Sequence, residues 1–199
     1  MDITKVKVEM IIMAQQVCKD AELWQKSIQM GQVTLQRVKK INLRLFSTEN
    51  LLNNAESRSR IQATEKRISN LYLRLQSPLT TMNKILEKLT EIRDNTARML
   101  NRLTLWMDDE IISQHQISPK IMSYQLLEAL QFLSQRYDAE WEVKEVVVND
   151  LEKISNANEL KLLMDSWRIC SHAGGQEFAT ILCDYYKIVD RSIPLVKAS

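Results

Sequence analysis

Glycine and proline are scarce in this chain, whose 199 residues include only three of each. Average usage would give about fourteen glycines and ten prolines. These residues make the tight turns, phosphate-binding loops and strained backbone on which many active sites depend. Their scarcity predicts long, little-interrupted helices, and it favours an assembly protein over an enzyme.

Cysteine is also rare, and long apolar runs are missing. The chain has an odd number of cysteines, and their spacing is not that of a disulfide framework: Cys18, Cys170 and Cys183. No segment approaches the roughly 20 apolar residues of a membrane-spanning helix. The opening segment carries Asp2 and Glu9 and does not resemble a secretory signal. We therefore expect reduced thiols, no membrane contact and a location in the nucleus or cytoplasm.

The small net charge of +2 hides an asymmetry between the two halves of the chain. Residues 1–106 contain 18 basic and 10 acidic residues, whereas residues 107–199 contain 9 and 15. Opposite charges favour docking of the halves on each other or on complementary partners. Ordinary scatter over solvated helix faces is the alternative interpretation.

Apolar residues recur at helical spacing and predict three long helices. The first covers about residues 2–46, and the apolar residues on one of its faces are Leu23, Ile28, Leu35, Val38 and Leu45. The second covers about residues 55–107. Within it, Ser77-Pro78 indicates either the start of a new helix or a kink in a single one. The third begins at Pro119, with Ser118 as its N-cap, and reaches about residue 154.

The last part of the chain predicts two short helices. Asn156 or Asn158 caps a helix over about residues 159–171, which buries Leu162, Leu163 and Trp167. Gly174-Gly175 ends it, and a final helix over about residues 176–191 stops before Pro194. Its apolar face is Phe178, Ile181, Leu182 and Tyr185.

Together these elements predict an all-α protein. Long antiparallel helices form a helical bundle or coiled coil, and two short helices follow at the C-terminal end. The predicted organisation is a long-helix coiled-coil region at residues 1–107, a linker at 108–118 and a helical region at 119–199.

Catalytic and metal-binding motifs are not found. Cys170, His172 and Cys183 lack the paired spacing of a four-ligand zinc site, and small buried thiols explain them better. His115 and His172 have no nucleophile motif nearby, and no phosphate-binding, dinucleotide or calcium loop is present. We predict no enzymatic activity, cofactor or metal. A metalloprotein is the alternative, and it would be supported by the finding of stoichiometric bound zinc.

Two basic stretches raise the question of nucleic acid. Clustered lysines and arginines can contact phosphates. However, the isoelectric point is only about 8.4, and no nucleic-acid-reading motif accompanies them. A solvated or protein-facing surface is the simpler interpretation, and direct binding of nucleic acid remains an alternative. The stretches are Arg37, Lys39, Lys40 and Arg44, and Arg58, Arg60, Lys66, Arg67 and Arg74.

Ten residues are candidates for partner binding. Leucines and a methionine at heptad-like spacing predict subunit pairing: Leu79, Met82, Leu86, Leu89, Leu100 and Leu103. Aromatic residues are enriched at interface hot spots, although core packing is the alternative for most of them. Those that we expect at a partner surface are Trp24, Trp141, Trp167 and Tyr185.

The segment CKDAELWQKSI, which contains Trp24, resembles the start of the conserved region of the cyclin-dependent kinase 2-interacting protein (CINP) family. The helices EKRISNLYLRLQSPLTTMNKILEKLTEI, LLEALQFLSQRYDAEWEVKEVVVNDL and ISNANELKLLMDSW follow in the order of that family. The similarity covers residues 19–186. The related AIRIM family is similar too, because it has Leu-Trp-Gln in its first helix, here Leu23-Trp24-Gln25. The basic N-terminal tail of the CINP family is absent, and the SHAGGQ turn has no counterpart in it.

Either resemblance implies a non-enzymatic helical adaptor that accompanies AAA+ ATPases of the spermatogenesis-associated type. It implies roles in maturing the large ribosomal subunit and in DNA replication and checkpoint maintenance. The implied partners are the ATPase subunits, a second small helical subunit and a cyclin-dependent kinase, within a hetero-oligomer. The alternative is a coiled-coil subunit of a kinetochore, tethering or cytoskeletal complex.

Overall fold

The computed structural model describes residues 2–189 and is 84% helical, which confirms the all-α class. Helices α1 and α2 pack against each other, and short helices follow at the C-terminal end. A two-stranded antiparallel hairpin, β1 and β2, precedes α4. In the described residues, no helix combines the length and apolarity needed to cross a membrane. The elements are α1 (Ile3–Asn53), α2 (Arg58–Trp106), α3 (Glu110–Ser113), β1 (Gln116–Ser118), β2 (Ile121–Met122), α4 (Ser123–Asp150), α5 (Ala157–Arg168) and α6 (Gly175–Ile188).

Helix α1 runs past the predicted end near residue 46 and stops at Asn53. The polar residues Ser47 and Thr48, which follow the predicted end, are accommodated inside the helix. The hydroxyl groups of Ser47 and Thr48 donate to the carbonyl oxygens of Leu43 and Arg44, at 3.0 and 2.6 Å. Because each hydroxyl finds an acceptor one turn back, these residues do not have to end the helix.

Helix α2 is continuous through Pro78, so of the two alternatives considered there, the start of a new helix is wrong. It begins after Ser57, whose Oγ accepts a hydrogen bond from the amide of Arg60 at 3.3 Å. An interior proline costs a helix about 3 kcal/mol. Leu75 and Leu79, on either side of it, are each 5% exposed. Burial of each such side chain returns about 1.5–3 kcal/mol, which is enough to keep the helix intact.

The segment predicted as a linker contains α3 and β1. Asp109 caps α3, because its Oδ1 accepts from the amides of Ile111 and Ile112 at 2.9 and 3.3 Å. The predicted helix start at Ser118-Pro119 is wrong, since Ser118 pairs with Ile121 across the hairpin. Helix α4 begins at Ser123 and ends at Asp150.

The two predicted C-terminal helices are confirmed, but α5 buries other residues than predicted. Asn156 caps α5, as its Oδ1 accepts from the amide of Glu159 at 3.0 Å. Helix α5 buries Leu160 and Trp167, whereas Leu162 is 67% exposed, contrary to the prediction. Helix α6 begins at Gly175, whose φ of +79° favours glycine. The predicted helix end at residue 191 and the stop at Pro194 lie outside the described residues.

The chain divides into two compact units. In the described residues, unit 1 combines 2–26, 89–141 and 170–189, and unit 2 combines 27–88 and 142–169. Each unit therefore draws on both predicted regions, 1–107 and 119–199. In unit 1, contacts of Glu9 with Arg102 and of Asp20 with Asn95 show that α1 and α2 run antiparallel.

Candidate partner-binding surface

Most of the residues predicted to bind partners lie in the interior of the chain itself. Seven of the ten are at most 5% exposed: Trp24, Leu79, Met82, Leu89, Leu103, Trp167 and Tyr185. Leu86, Leu100 and Trp141 are half-buried. A side chain packed in its own core has no area left for a partner, so those seven stabilise the fold and are not proposed as an interface.

Aromatic side chains form the centre of unit 1. The rings of Trp24 and Tyr137 stack with centroids 4.4 Å apart, and Phe178 lies 6.3 Å from Tyr137. The hydroxyl of Tyr185 donates to the carbonyl oxygen of Ala14 at 2.9 Å. Burial raises the pKa of Tyr137 and of Tyr185, because the interior disfavours a phenolate. The cluster is thus a core that keeps its phenols neutral.

A buried carboxylate of unit 1 organises the loop before α6. Glu140 is fully buried, and its Oε2 accepts from the backbone amides of His172 and Ala173 at 2.8 and 2.9 Å. Arg136 binds Glu177 at 2.8 Å nearby. These bonds hold the backbone of the loop, so we assign Glu140 a structural role that sequence reasoning missed.

Trp141 is also held by contacts within unit 1. Its Nε1 donates to the hydroxyl of Thr90 at 2.8 Å. The guanidinium carbon of Arg93 lies 3.9 Å from the ring centroid, within the range of a cation–π contact. These two contacts leave little of the indole for a partner.

In unit 2, Lys144 plays a comparable role at the end of α5. The side chain is fully buried. Its Nζ donates to the carbonyl oxygens of Ser166 and Ile169 at 3.0 and 3.4 Å. Helix ends leave carbonyl groups unsatisfied, and a cation is favourable there.

Cys170, His172 and Cys183, which the sequence raised as a possible zinc site, do not form one in the described part of the chain. Residues 2–189 contain no group of three or more metal-ligating side chains. Cys170 and Cys183 are half-buried, and the backbone amide of His172 donates to Glu140. Burial, and secondarily the charge of Lys7, lowers the pKa of His115.

The surface of unit 2 carries the strongest candidate for binding. Seven exposed α1 residues recur at steps of three and four and therefore share one face of the helix; three are apolar, and the four between these are polar. Met30 is 49% exposed, and Val33 and Leu51 are each 60% exposed. The sequence between Glu22 and Glu49 contains five basic residues and no acidic one. We name this face the α1 stripe: Met30, Val33, Arg37, Lys40, Arg44, Ser47 and Leu51.

A basic groove adjoins the α1 stripe. It lies between α1 and α2 in unit 2, where the hydroxyl of Tyr72 donates to Glu49 at 3.2 Å. No carboxylate lines the groove, and its three arginines form no ion pair in residues 2–189. We name it the arginine groove; its lining is Leu43, Arg44, Ser47, Thr48, Leu51, Arg67, Asn70, Leu71 and Arg74.

The arginine groove unites the two basic stretches that the sequence presents separately. Arg44 comes from the first stretch, and Arg67 and Arg74 come from the second. Arg67 and Arg74 are seven residues apart and therefore share a helix face. Arg58 and Arg60 lie outside the lining of the groove. The acid-free run between Glu22 and Glu49 was the sequence signal for this surface, but it does not show which α2 residues join it.

No protein-family model matches the sequence, and no curated protein matches it either.

Proposed function

We propose that this chain is a non-enzymatic helical adaptor subunit that acts by binding other proteins in an AAA+ ATPase-containing complex. The observation that carries the adaptor role is the α1 stripe. Three large apolar side chains stand exposed on it, Met30 and Val33 at one end and Leu51 at the other, with polar residues between them. We infer that a partner helix covers these side chains.

Pairing along this face would be energetically worthwhile. Met30, Val33 and Leu51 are about half exposed or more. Completing the burial of a side chain of this size contributes about 1 kcal/mol. The occupant that fits is a helix, and we propose that it belongs to the second small helical subunit implied by the family resemblance.

The resemblance supplies the rest of the proposal. Chemistry would then lie in the ATPase subunits, and this chain would position them during large ribosomal subunit maturation or in DNA replication and checkpoint maintenance. A cyclin-dependent kinase is a further proposed partner. The proposed location is the nucleus, the cytoplasm or both.

The test is purification of the tagged chain from its native cells at moderate salt, with partners identified by mass spectrometry. We expect stoichiometric AAA+ ATPases and a second small helical protein. A stable monomer without partners would overturn the adaptor role. Kinetochore, tethering or cytoskeletal proteins in place of ATPases would overturn the ATPase assignment.

A matched pair of variants tests the surface. The triple variant Met30→Ser, Val33→Ser, Leu51→Ser should lose the second helical subunit. The control Leu105→Ser, Ile111→Ser changes apolar residues that are 72% and 57% exposed elsewhere on α2 and α3, and it should retain that subunit. If both variants co-purify equal amounts of the second helical subunit, the α1 stripe is not the pairing face.

A further inference from the structure

We infer that the α1 stripe and the arginine groove together receive an acidic amphipathic helix of a protein partner. This inference rests on the proposed adaptor function and specifies the chemistry of its partner. Both surfaces belong to unit 2, and Arg44, Ser47 and Leu51 are common to both.

The basic side chains of the two surfaces favour an acidic partner. Arg37, Lys40, Arg44, Arg67 and Arg74 are all exposed, and in the described part of the chain no carboxylate lines the arginine groove. Unpaired like charges held close together repel one another until a partner of opposite sign neutralises them. Guanidinium groups bind carboxylates through two parallel hydrogen bonds. The complementary partner therefore carries aspartate or glutamate along one face.

The apolar side chains define the other face of that partner. Met30 and Val33 stand at one end of the α1 stripe and Leu51 at the other, and Leu43, which is 40% exposed, lines the arginine groove with Leu51. Residues 30 and 51 are separated by about 30 Å along the helix axis, at 1.5 Å per residue. A partner helix of about 20 residues spans this length. Its apolar residues would lie at both ends and its acidic residues in the middle.

The same side chains argue against nucleic acid as the ligand. Sequence-tolerant binding of single strands uses aromatic rings on which bases stack. Among residues 2–189, the lining of the arginine groove includes no aromatic side chain. Leu43 and Leu51 gain nothing from a phosphate backbone, whereas they pack well against an apolar helix face.

Binding to designed peptides tests the partner's chemistry on the whole chain. One 21-residue helical peptide carries leucine at both ends of its seam and glutamate in the middle, and its counterpart carries lysine there. We expect the glutamate peptide to bind at least about tenfold more tightly. No preference between the two peptides would overturn the inference. So would tighter binding of a 20-base-pair DNA that displaces the glutamate peptide.

Charge reversal locates the site. The variant Arg44→Glu, Arg67→Glu, Arg74→Glu should bind the glutamate peptide at least about tenfold more weakly and should gain affinity for the lysine peptide. The control Lys19→Glu, Lys84→Glu, Arg98→Glu changes the net charge equally at exposed residues outside both surfaces, and it should bind as the wild type does. Circular dichroism verifies that both variants fold. Equal losses of affinity for the glutamate peptide in both variants would overturn the assignment of the binding site to the arginine groove.

Cross-linking in the native complex separates this inference from the proposed function. A zero-length carbodiimide reagent joins amines to carboxylates in direct contact, so we expect Lys39 or Lys40 to be joined to an acidic partner helix. A complex that contains the ATPases but survives the charge reversal would overturn the inference and leave the adaptor role standing. Selective peptide binding without any native partner would support the surface and overturn the proposed function.

Discussion

The indole of Trp167 lies directly against Gly31, so that a Cβ atom at position 31 would overlap its ring. The Nε1 of Trp167 donates to the carbonyl oxygen of Ile28 at 3.0 Å, one turn earlier in α1. The glycine therefore lets α5 approach the α1 backbone in unit 2.

The substitution Gly31→Ala tests this contact. At an open helix position, alanine is more stable than glycine by about 1 kcal/mol. Here we expect a loss of about 1–3 kcal/mol in unfolding free energy, because Trp167 has to shift. Urea unfolding followed by circular dichroism measures it. The control Gln29→Ala, at an exposed position of α1, should stay within about 0.5 kcal/mol of the wild type. A stabilised Gly31→Ala variant would contradict the contact.

The buried phenols of unit 1 predict sensitivity to alkali. Tyr137 and Tyr185 have pKa values raised by burial, above the ordinary 10.0 of an unfolded chain. Their contribution to stability is complete below about pH 10, and it is lost as the pH rises further, since the unfolded chain then releases protons that the folded chain retains. Unfolding free energies measured from pH 8 to 11 should fall most steeply above pH 10.

The double variant Tyr137→Phe, Tyr185→Phe should flatten that decline. It should also cost about 1 kcal/mol at pH 8, because the bond from Tyr185 to Ala14 is lost. Tyr124→Phe is the control, as Tyr124 is 47% exposed. An unchanged slope in the double variant would mean that other groups control the alkaline transition.

Glu140→Gln tests the carboxylate that holds the loop before α6. Charge-assisted bonds to the amides of His172 and Ala173 become weaker, and we expect a loss of about 2 kcal/mol. Hydrogen exchange at these two amides should become faster than in the wild type. The exposed neighbour Glu142→Gln should change neither quantity. Unchanged protection in Glu140→Gln would argue against the capping role.

Lys144→Met tests the support of α5. Methionine preserves most of the volume but removes the donor to the carbonyl oxygens of Ser166 and Ile169. We expect a loss of about 1–3 kcal/mol, with faster hydrogen exchange in α5. Lys161→Met, at an exposed position of the same helix, is the control. If the two variants were equally stable, the buried ammonium group would not be supporting this helix.

The helical class followed from the sequence because it depends on local patterns. Scarce glycine and proline and apolar residues at helical spacing predicted it, and the Asn156 cap lay beside the helix that it begins. Helix ends were harder to predict. The hydroxyl of Thr48 and the ring of Pro78 favour a turn or a break locally, yet both sit inside helices whose neighbouring apolar residues are buried.

Candidate binding residues show the same division between local pattern and packing. Leucine spacing identified an apolar face on α2, but spacing does not distinguish a face covered by the chain's own helices from one left open. Packing buried Leu79, Met82 and Leu89 and left Met30 and Val33 exposed.

By itself, the sequence determined that the chain is helical and that the middle segment of α1 is basic and free of acidic residues. It also determined that glycines separate the last two helices, α5 and α6. Tertiary structure alone decided which arginines meet, because Arg44 and Arg67 come together only when α1 and α2 fold side by side in unit 2. Helical periodicity acts over a few residues, whereas contact between distant segments depends on the packing of the whole core.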